Sequence, residues 1–291
     1  MFGVSCAFRG ALKRVSSCSP LQGDRLGLRF LPLGAIATRL AASCCKVSKA
    51  DRAPRRGHRM ISNRILSERP PEVCEEVLRA CRLVEFRSGY TIYRGGGAIS
   101  YAYFVDSGLV CLLKHMEDGR AVEVAAVGAE GLLGVLSVFG SGGVLADYVV
   151  QIPTVAHRID LTVLQREMSK HVALHSLIAR FLSLLAAQFA QGSACNRLHS
   201  LEQRCCTWLL IAHDNAASDM FQLTHEFMAL LLGVQRPSVS MTANGLQRRG
   251  LIRYSHGHVT ILDRTGLEET ACECYRTRCR QIEQAFGLQP T

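Results

Sequence analysis

The spacing of apolar positions along the chain changes character three times. Between Asn63 and Val84, Val73, Val77, Leu78 and Cys81 recur at helical intervals behind Pro70–Pro71, and proline is at home in a helix's first turn. From Glu85 to about Ile159 the texture is of short β-type runs divided by glycine. Tyr90–Tyr93, Tyr101–Asp106, Leu109–Met116 and Val122–Val127 read as strands, with turns at Gly95–Gly97, Asp106–Gly108 and Asp118–Gly119. Asp118–Gly119 between two such runs predicts a tight hairpin. Several short strands at this spacing predict a small antiparallel barrel or jelly-roll.

From Leu161 the period is helical again. Leu174, Ile178, Phe181, Leu185, Gln188, Gly192 and Cys195 fall at alternating steps of four and three, the seam of a coiled coil. An ordinary helix packed on its own domain carries the same pattern. Because the stretch lies between a barrel and a separate helical region, it predicts a helix that pairs with a second copy, with Leu174, Ile178, Phe181, Leu185 and Gln188 as the dimer seam. His175, Arg180 and Gln188 interrupt the apolar surface, so no membrane span is read there.

After a helix at 200–213 comes the segment from Leu223 to Gly250. Thr224 is placed to cap a first helix, Ala229 is small where two helices cross, and Gly233 takes a turn that residues with a Cβ resist. Val239 follows Gly233 by six residues, which is helix-turn-helix spacing. Pro237 fits only a first helical turn, so the second helix starts near Arg236 and ends at Gly250. Leu251–Tyr254 and Val259–Leu262 flank Ser255-His256-Gly257-His258 and predict a strand–turn–strand wing. Residues 220–264 contain five arginines against Glu226 and Asp263, the sign a phosphate backbone attracts.

Composition sharpens this picture. The chain has 291 residues and a formal charge of +10, but residues 1–59 alone hold 12 basic and two acidic side chains, leaving 22 of each in the rest. The excess therefore belongs to an Arg- and Ser-rich segment of the kind that does not fold by itself. An organelle transit peptide has that composition, and a signal-peptide core can be read in Leu31–Ile36; translation from Met60 is the simpler account. Thirteen scattered cysteines form no disulfide framework and suit a reducing cytoplasm. Cys272, Cys274 and Cys279 are the tightest group, but 274 leaves the helical face shared by 272 and 279, and no metal is expected there or at His171 and His175. No nucleophile elbow, phosphate loop or zinc-protease motif is present, so no enzyme is expected. The fold class is α+β: 1–59 an extension, 60–162 an antiparallel β-roll, 163–196 a dimerisation helix, and 197–291 a winged helix-turn-helix.

A β-roll, a long helix and a winged helix-turn-helix in that order resemble the Crp/Fnr family of bacterial transcription regulators, most clearly over Asn196–Trp208 and Leu223–Leu262. The resemblance implies a cytoplasmic homodimer on a palindromic double-stranded DNA site, with RNA polymerase as a further partner. It implies that Arg236 contacts a guanine or a phosphate, where bidentate pairing is worth about 1–3 kcal/mol. Thr224, Gln235, Ser238, Ser240, Met241 and His256 complete the expected contacts. Pro237 stands where a glutamate base reader is common and Met241 where many members have a second arginine, so a different operator is implied. Gly131-Leu132-Leu133-Gly134 aligns with the segment by which cyclic-nucleotide members hold the ribose, with Leu132 at the glutamate and Glu130 one place away. No arginine or lysine lies between Arg120 and Arg158 to neutralise a cyclic phosphate, so cyclic AMP and GMP are excluded by that mechanism and no cofactor is expected. A protein-interaction module that does not bind DNA is the alternative.

Overall fold

The computed structural model describes residues 61–67, 71–140 and 143–286; the basic leading segment, Met60 and Pro70 lie outside them. Two short helices, α1 (Arg64–Ser67) and α2 (Pro71–Ala80), lead into the barrel strands β1 (Arg82–Phe86), β2 (Thr91–Tyr93), β3 (Tyr101–His115), β4 (Ala121–Val127) and β5 (Leu132–Leu133). A one-turn helix α3 (Val135–Val138) precedes β6 (Asp147–Asp160). The sheet is antiparallel in the order β1-β6-β3-β4, with β2 also on β6 and β5 also on β3. The Asp118–Gly119 hairpin forms as expected: Lys114 pairs with Val122 and His115 with Ala121 across it, and Gly119 has φ +83°.

The turn expected at Asp106–Gly108 does not form. β3 runs straight through it as one 15-residue strand, absorbing the irregularity as register shifts between Val105, Ser107 and Leu109. Gly108 (φ +93°) lets the strand pass close against Pro153 and Thr154, where a Cβ would collide, and the Asp106 carboxylate accepts the N–H groups of Ser62 (2.7 Å) and Asn63 (3.2 Å). The local glycine signal reads as a reversal because the partner strand that keeps it extended lies far along the chain.

The helical stretch after the barrel is also two elements. α4 (Leu161–Lys170), capped by Asp160, ends at His171, and α5 (Val172–Leu198) starts afresh. His171 is extended (φ −121°, ψ 99°) and its Nε2 lies 3.0 Å from Glu76 on α2. By length and composition α5 could cross a membrane, against the expectation from its polar residues, but one face of it is packed into the protein. The expected dimer seam needs correcting for the same reason. Leu174, Ile178, Phe181 and Leu185 are buried in the chain's own core with Phe104, Leu132 and Phe286, and a Cβ on Gly131 would meet Val127 and Phe181. The side of α5 left in solvent carries Ser176, Ser183, Ala186 and Ala190 instead.

Beyond a short joint at His199–Ser200 come α6 (Leu201–Asn215), β7 (Met220–Gln222), α7 (His225–Leu232), α8 (Arg236–Arg248), β8 (Ile252–Ser255), β9 (His258–Ile261), α9 (Arg264–Thr270) and α10 (Cys274–Ala285). Ser200 and Gln203 form a reciprocal capping box that starts α6. A second core gathers Trp208, Leu209, Met228, Val239, Leu246 and Val259 with Leu109, Cys111 and Ala126 from the outer face of the barrel. Polar contacts also cross this junction. Trp208 donates its indole N–H to Glu123 (3.2 Å), and Arg278 on α10 makes a 2.7 Å ion pair with Glu130, both nearly buried. Arg278 also donates to the Ala126 carbonyl (3.1 Å).

Removing one partner of a buried pair leaves an uncompensated charge. Arg278→Ala is therefore expected to cost about 3–5 kcal/mol in urea unfolding, whereas Arg79→Ala, which breaks the exposed Glu75 pair, changes stability by under about 1 kcal/mol. Burial raises the Glu123 carboxyl from 4.5 to about 7, against the lowering effect of hydrogen bonds from Cys111 and Trp208. The folded chain then holds that proton more tightly than the unfolded one, so this group's contribution to stability is greatest below pH 4.5 and is lost as pH rises through about 7. Urea titrations at about pH 5 and about pH 8 should show that slope reduced in Glu123→Gln.

Candidate nucleic-acid interface

The helix-turn-helix is assembled by the residues that its spacing singled out. Thr224 accepts the Phe227 N–H (3.1 Å) and starts α7; Gly233 (φ +64°) ends it in the left-handed region. Arg204 on α6 donates to the Leu232 carbonyl, one of the helix's last unsatisfied acceptors. Pro237 sits in the first turn of α8, and Val239, Ala243 and Leu246 bury the inner side of that helix against α7 and α6. The wing is β8 and β9, closed by His256 (φ 48°) and Gly257 (φ 77°), a two-residue turn with both residues left-handed. Tyr254 fixes it to the helices: its hydroxyl donates to the Leu223 carbonyl (2.7 Å), its N–H to the Gln247 side chain (2.8 Å), and its ring lies 4.4 Å from that of His225.

Of the expected contact residues, Gln235, Arg236, Met241 and His256 are exposed, Met241 by 75% of its surface. Arg236 is held by an ion pair to Glu226 (2.7 Å), both side chains largely in solvent. Ser238 is half-buried. Thr224 and Ser240 are turned inward: Thr224 serves as the cap, and the Ser240 hydroxyl lies 3.0 Å from Nδ1 of His225. Burial and the Arg236 charge lower the pKa of His225. The sequence reading missed Asn244, which shares the exposed side of α8 with Pro237, Met241 and Arg248; the steps of four, three and four that join them were there to be read. Arg249, one residue past Arg248, is committed to Glu202 (2.6 Å) and Thr270 (2.7 Å).

Within the barrel, the segment expected to line an effector pocket is closed. Leu132 and Leu133 are buried among Phe104, Val135, Tyr148 and Val150, so the apolar stretch from Leu132 to Val138 is core wall, while Phe139 is exposed. Gly134 (φ +84°) starts α3 beneath the Tyr93 ring. Glu130, one place from the glutamate position, turns to Arg278 and also accepts the Gly128 N–H (3.2 Å).

The cysteine group is different from the one expected. Cys279 packs beside the second core, while Cys272 and Cys274 meet Cys195 and His199 at the end of α5. A hydrogen bond from Cys195, with another from Thr207, lowers the pKa of the Cys272 thiol. His175, exposed, stacks edge-on against Phe139 rather than joining His171.

Two parts of the chain match known domain families. Residues 83–171 match the family model of a cyclic nucleotide-binding domain, and residues 203–270 that of a Crp-like helix-turn-helix domain. The transcriptional regulator SdrP of Thermus thermophilus is 27% identical over 65% of this chain and 93% of its own length. The cyclic AMP receptor protein of the same organism is 28% identical over 64% of this chain and 86% of its own. A solved CRP-family transcriptional regulator from that organism superposes with a TM-score of 0.55 at 25% identity, covering 65% of this chain and 96% of the other. FixK2 from Bradyrhizobium japonicum shares the fold, with a TM-score of 0.57 at 17% identity over 66% and 98% of the two chains. With a nucleotide-binding-type barrel, a long helix and a Crp-like helix-turn-helix joined in that order, the chain belongs to the Crp/Fnr family of transcription regulators.

Proposed function

We propose that the protein acts as a cytoplasmic homodimer that reads a palindromic operator by inserting α8 into the major groove, with the wing against the backbone and RNA polymerase as a further partner. The observation that carries this reading is Arg236. It stands exposed at the start of α8, oriented by Glu226 and free of any buried partner, where it can exchange a weak surface ion pair for a guanine or a phosphate. Gln235, Ser238, Met241 and Asn244 offer polar and apolar contacts along the same helix, and Arg248 a backbone contact. Cyclic AMP or GMP is not the signal by the ribose-glutamate and phosphate-arginine device. Leu132 is core, Glu130 is neutralised by Arg278, and no arginine or lysine lies between Arg120 and Arg158. The second copy meets the outer side of α5, where Ser176, Ser183, Ala186 and Ala190 allow two helices to approach closely, because the apolar side is already covered.

Selection of oligonucleotides by the purified full chain, at stated salt, tests the reading. A palindrome should be enriched, unchanged by added cyclic AMP or GMP. Arg236→Ala should lose it with the dimer intact, at a cost of about 1–3 kcal/mol per half-site; an enriched site indifferent to Arg236 would refute the placement of α8. Sedimentation should show Ala190→Glu as a folded monomer with weakened operator binding, and a variant that stays dimeric would move the interface off this face of α5.

A further inference from the structure

Four metal-ligating side chains converge away from the DNA-facing surface, at the point where the long helix gives way to the DNA-binding domain. Cys195 in the last turn of α5 and His199 at its C-cap are four residues apart and share a face. Cys272 and Cys274 straddle Glu273 at the entry to α10. Their three sulfurs and one ring nitrogen all lie within 4.8 Å of one another. Cys195 Sγ is 3.6 Å from Cys272 Sγ, and Cys274 Sγ is 3.5 Å from His199 Nδ1. Around a tetrahedral zinc ion with Zn–S of about 2.3 Å and Zn–N of about 2.0 Å, neighbouring ligands stand about 3.5–3.8 Å apart. A disulfide would bring two of the sulfurs to about 2.05 Å. An iron–sulfur cluster would hold them wider, since several irons and sulfides stand between its thiolates.

The surroundings fit the same chemistry. His199 Nε2 lies 3.2 Å from the Glu273 carboxylate, which fixes the ring so that Nδ1 faces the three sulfurs; a carboxylate behind a metal-bound histidine is the usual outer partner. Gln191 donates to Cys274 Sγ (3.0 Å), and the Thr207 hydroxyl, 3.0 Å from Cys272 Sγ, is placed to donate to a thiolate. Cys195, Cys272 and Cys274 are buried and His199 is largely covered. Three thiolates so enclosed require a cation among them.

We propose that Cys195, His199, Cys272 and Cys274 form a mononuclear tetrahedral zinc site that clamps the end of α5 to the head of α10. On binding, the three thiols release their protons to solvent and the neutral imidazole supplies the fourth ligand. The joint at His199–Ser200, through which the DNA-binding domain is attached to the long helix, is thereby held at one angle. The proposal does not depend on the DNA-binding reading, because its test reads metal alone.

The full chain, purified reduced and incubated with zinc and then dialysed, should carry one zinc per chain by elemental analysis. Zinc-edge X-ray absorption should give three sulfurs and one nitrogen at the distances above, a measurement on the unaltered protein that needs no variant to fold. Cobalt replacing the zinc should show the intense visible bands of tetrahedral coordination with thiolate charge transfer in the near ultraviolet. Cys272→Ser and His199→Ala should lose the metal, and Cys279→Ser should keep it. Absence of stoichiometric zinc in the reduced chain, a shell of oxygen and nitrogen ligands, or equal loss in Cys279→Ser would each overturn the site.

Discussion

Six large apolar side chains, Leu174, Leu177, Ile178, Phe181, Leu184 and Leu185, lie along one side of the 27-residue α5 and are covered by the barrel of the same chain and the helices packed with it. At about 1.5–3 kcal/mol for each large side chain taken from water, that contact contributes on the order of 10 kcal/mol, comparable with the whole net stability of a typical domain. The helix therefore cannot leave the barrel to satisfy a partner. Its outer side, its end and everything attached to that end are fixed relative to the sheet, and the small residues it presents to solvent are what the barrel did not need.

The attachment of the helix-turn-helix follows the same logic at a second core. Leu109, Cys111 and Ala126 point outward from the sheet and would be exposed without the helices that cover them. Trp208 and Arg278 bring two carboxylates of the barrel, Glu123 and Glu130, under that cover. Glu130 is matched by a cation. Glu123 has only two hydrogen bonds and a more distant charge, which is why burial dominates it. The candidate interface is built in the opposite way: Pro237, Val239 and Gly233 fix the backbone of α8 while its outer side chains are left to solvent. Rigid placement of unsatisfied groups is what recognition of another molecule requires.

In the barrel, the fold and the chemistry of a ligand site rest on different residues. The match to a cyclic nucleotide-binding domain rests on strands, turns and core positions, whereas holding a cyclic phosphate rests on a very few side chains. In the segment that the resemblance aligns with a ribose-binding one, Leu132 lies in the core and Glu130 turns toward α10.

Much of this is legible along the chain because it depends on near neighbours. The Asp118–Gly119 hairpin, the Thr224 cap, the Gly233 turn, Pro237 and the wing are set by the backbone preferences of residues within a few positions, and a missing arginine between 120 and 158 is a fact of composition. Near neighbours also favour a reversal at Asp106–Gly108, where strand β6 overrules them from a distance, and an unbroken helix through His171, where the backbone is instead extended beside Glu76 of α2. A stripe of period 3.5 says that a helix is covered and is silent on whether its own barrel or a second copy covers it; only the packing decided. The same holds for the four ligands at the end of α5. Cys195 with His199 and Cys272 with Cys274 are ordinary pairs more than 70 residues apart, and their meeting is a property of how α10 lies across α5. Local sequence set the elements and their turns; which faces were consumed, and which side chains met, was left to the tertiary fold because burial is decided between elements rather than within them.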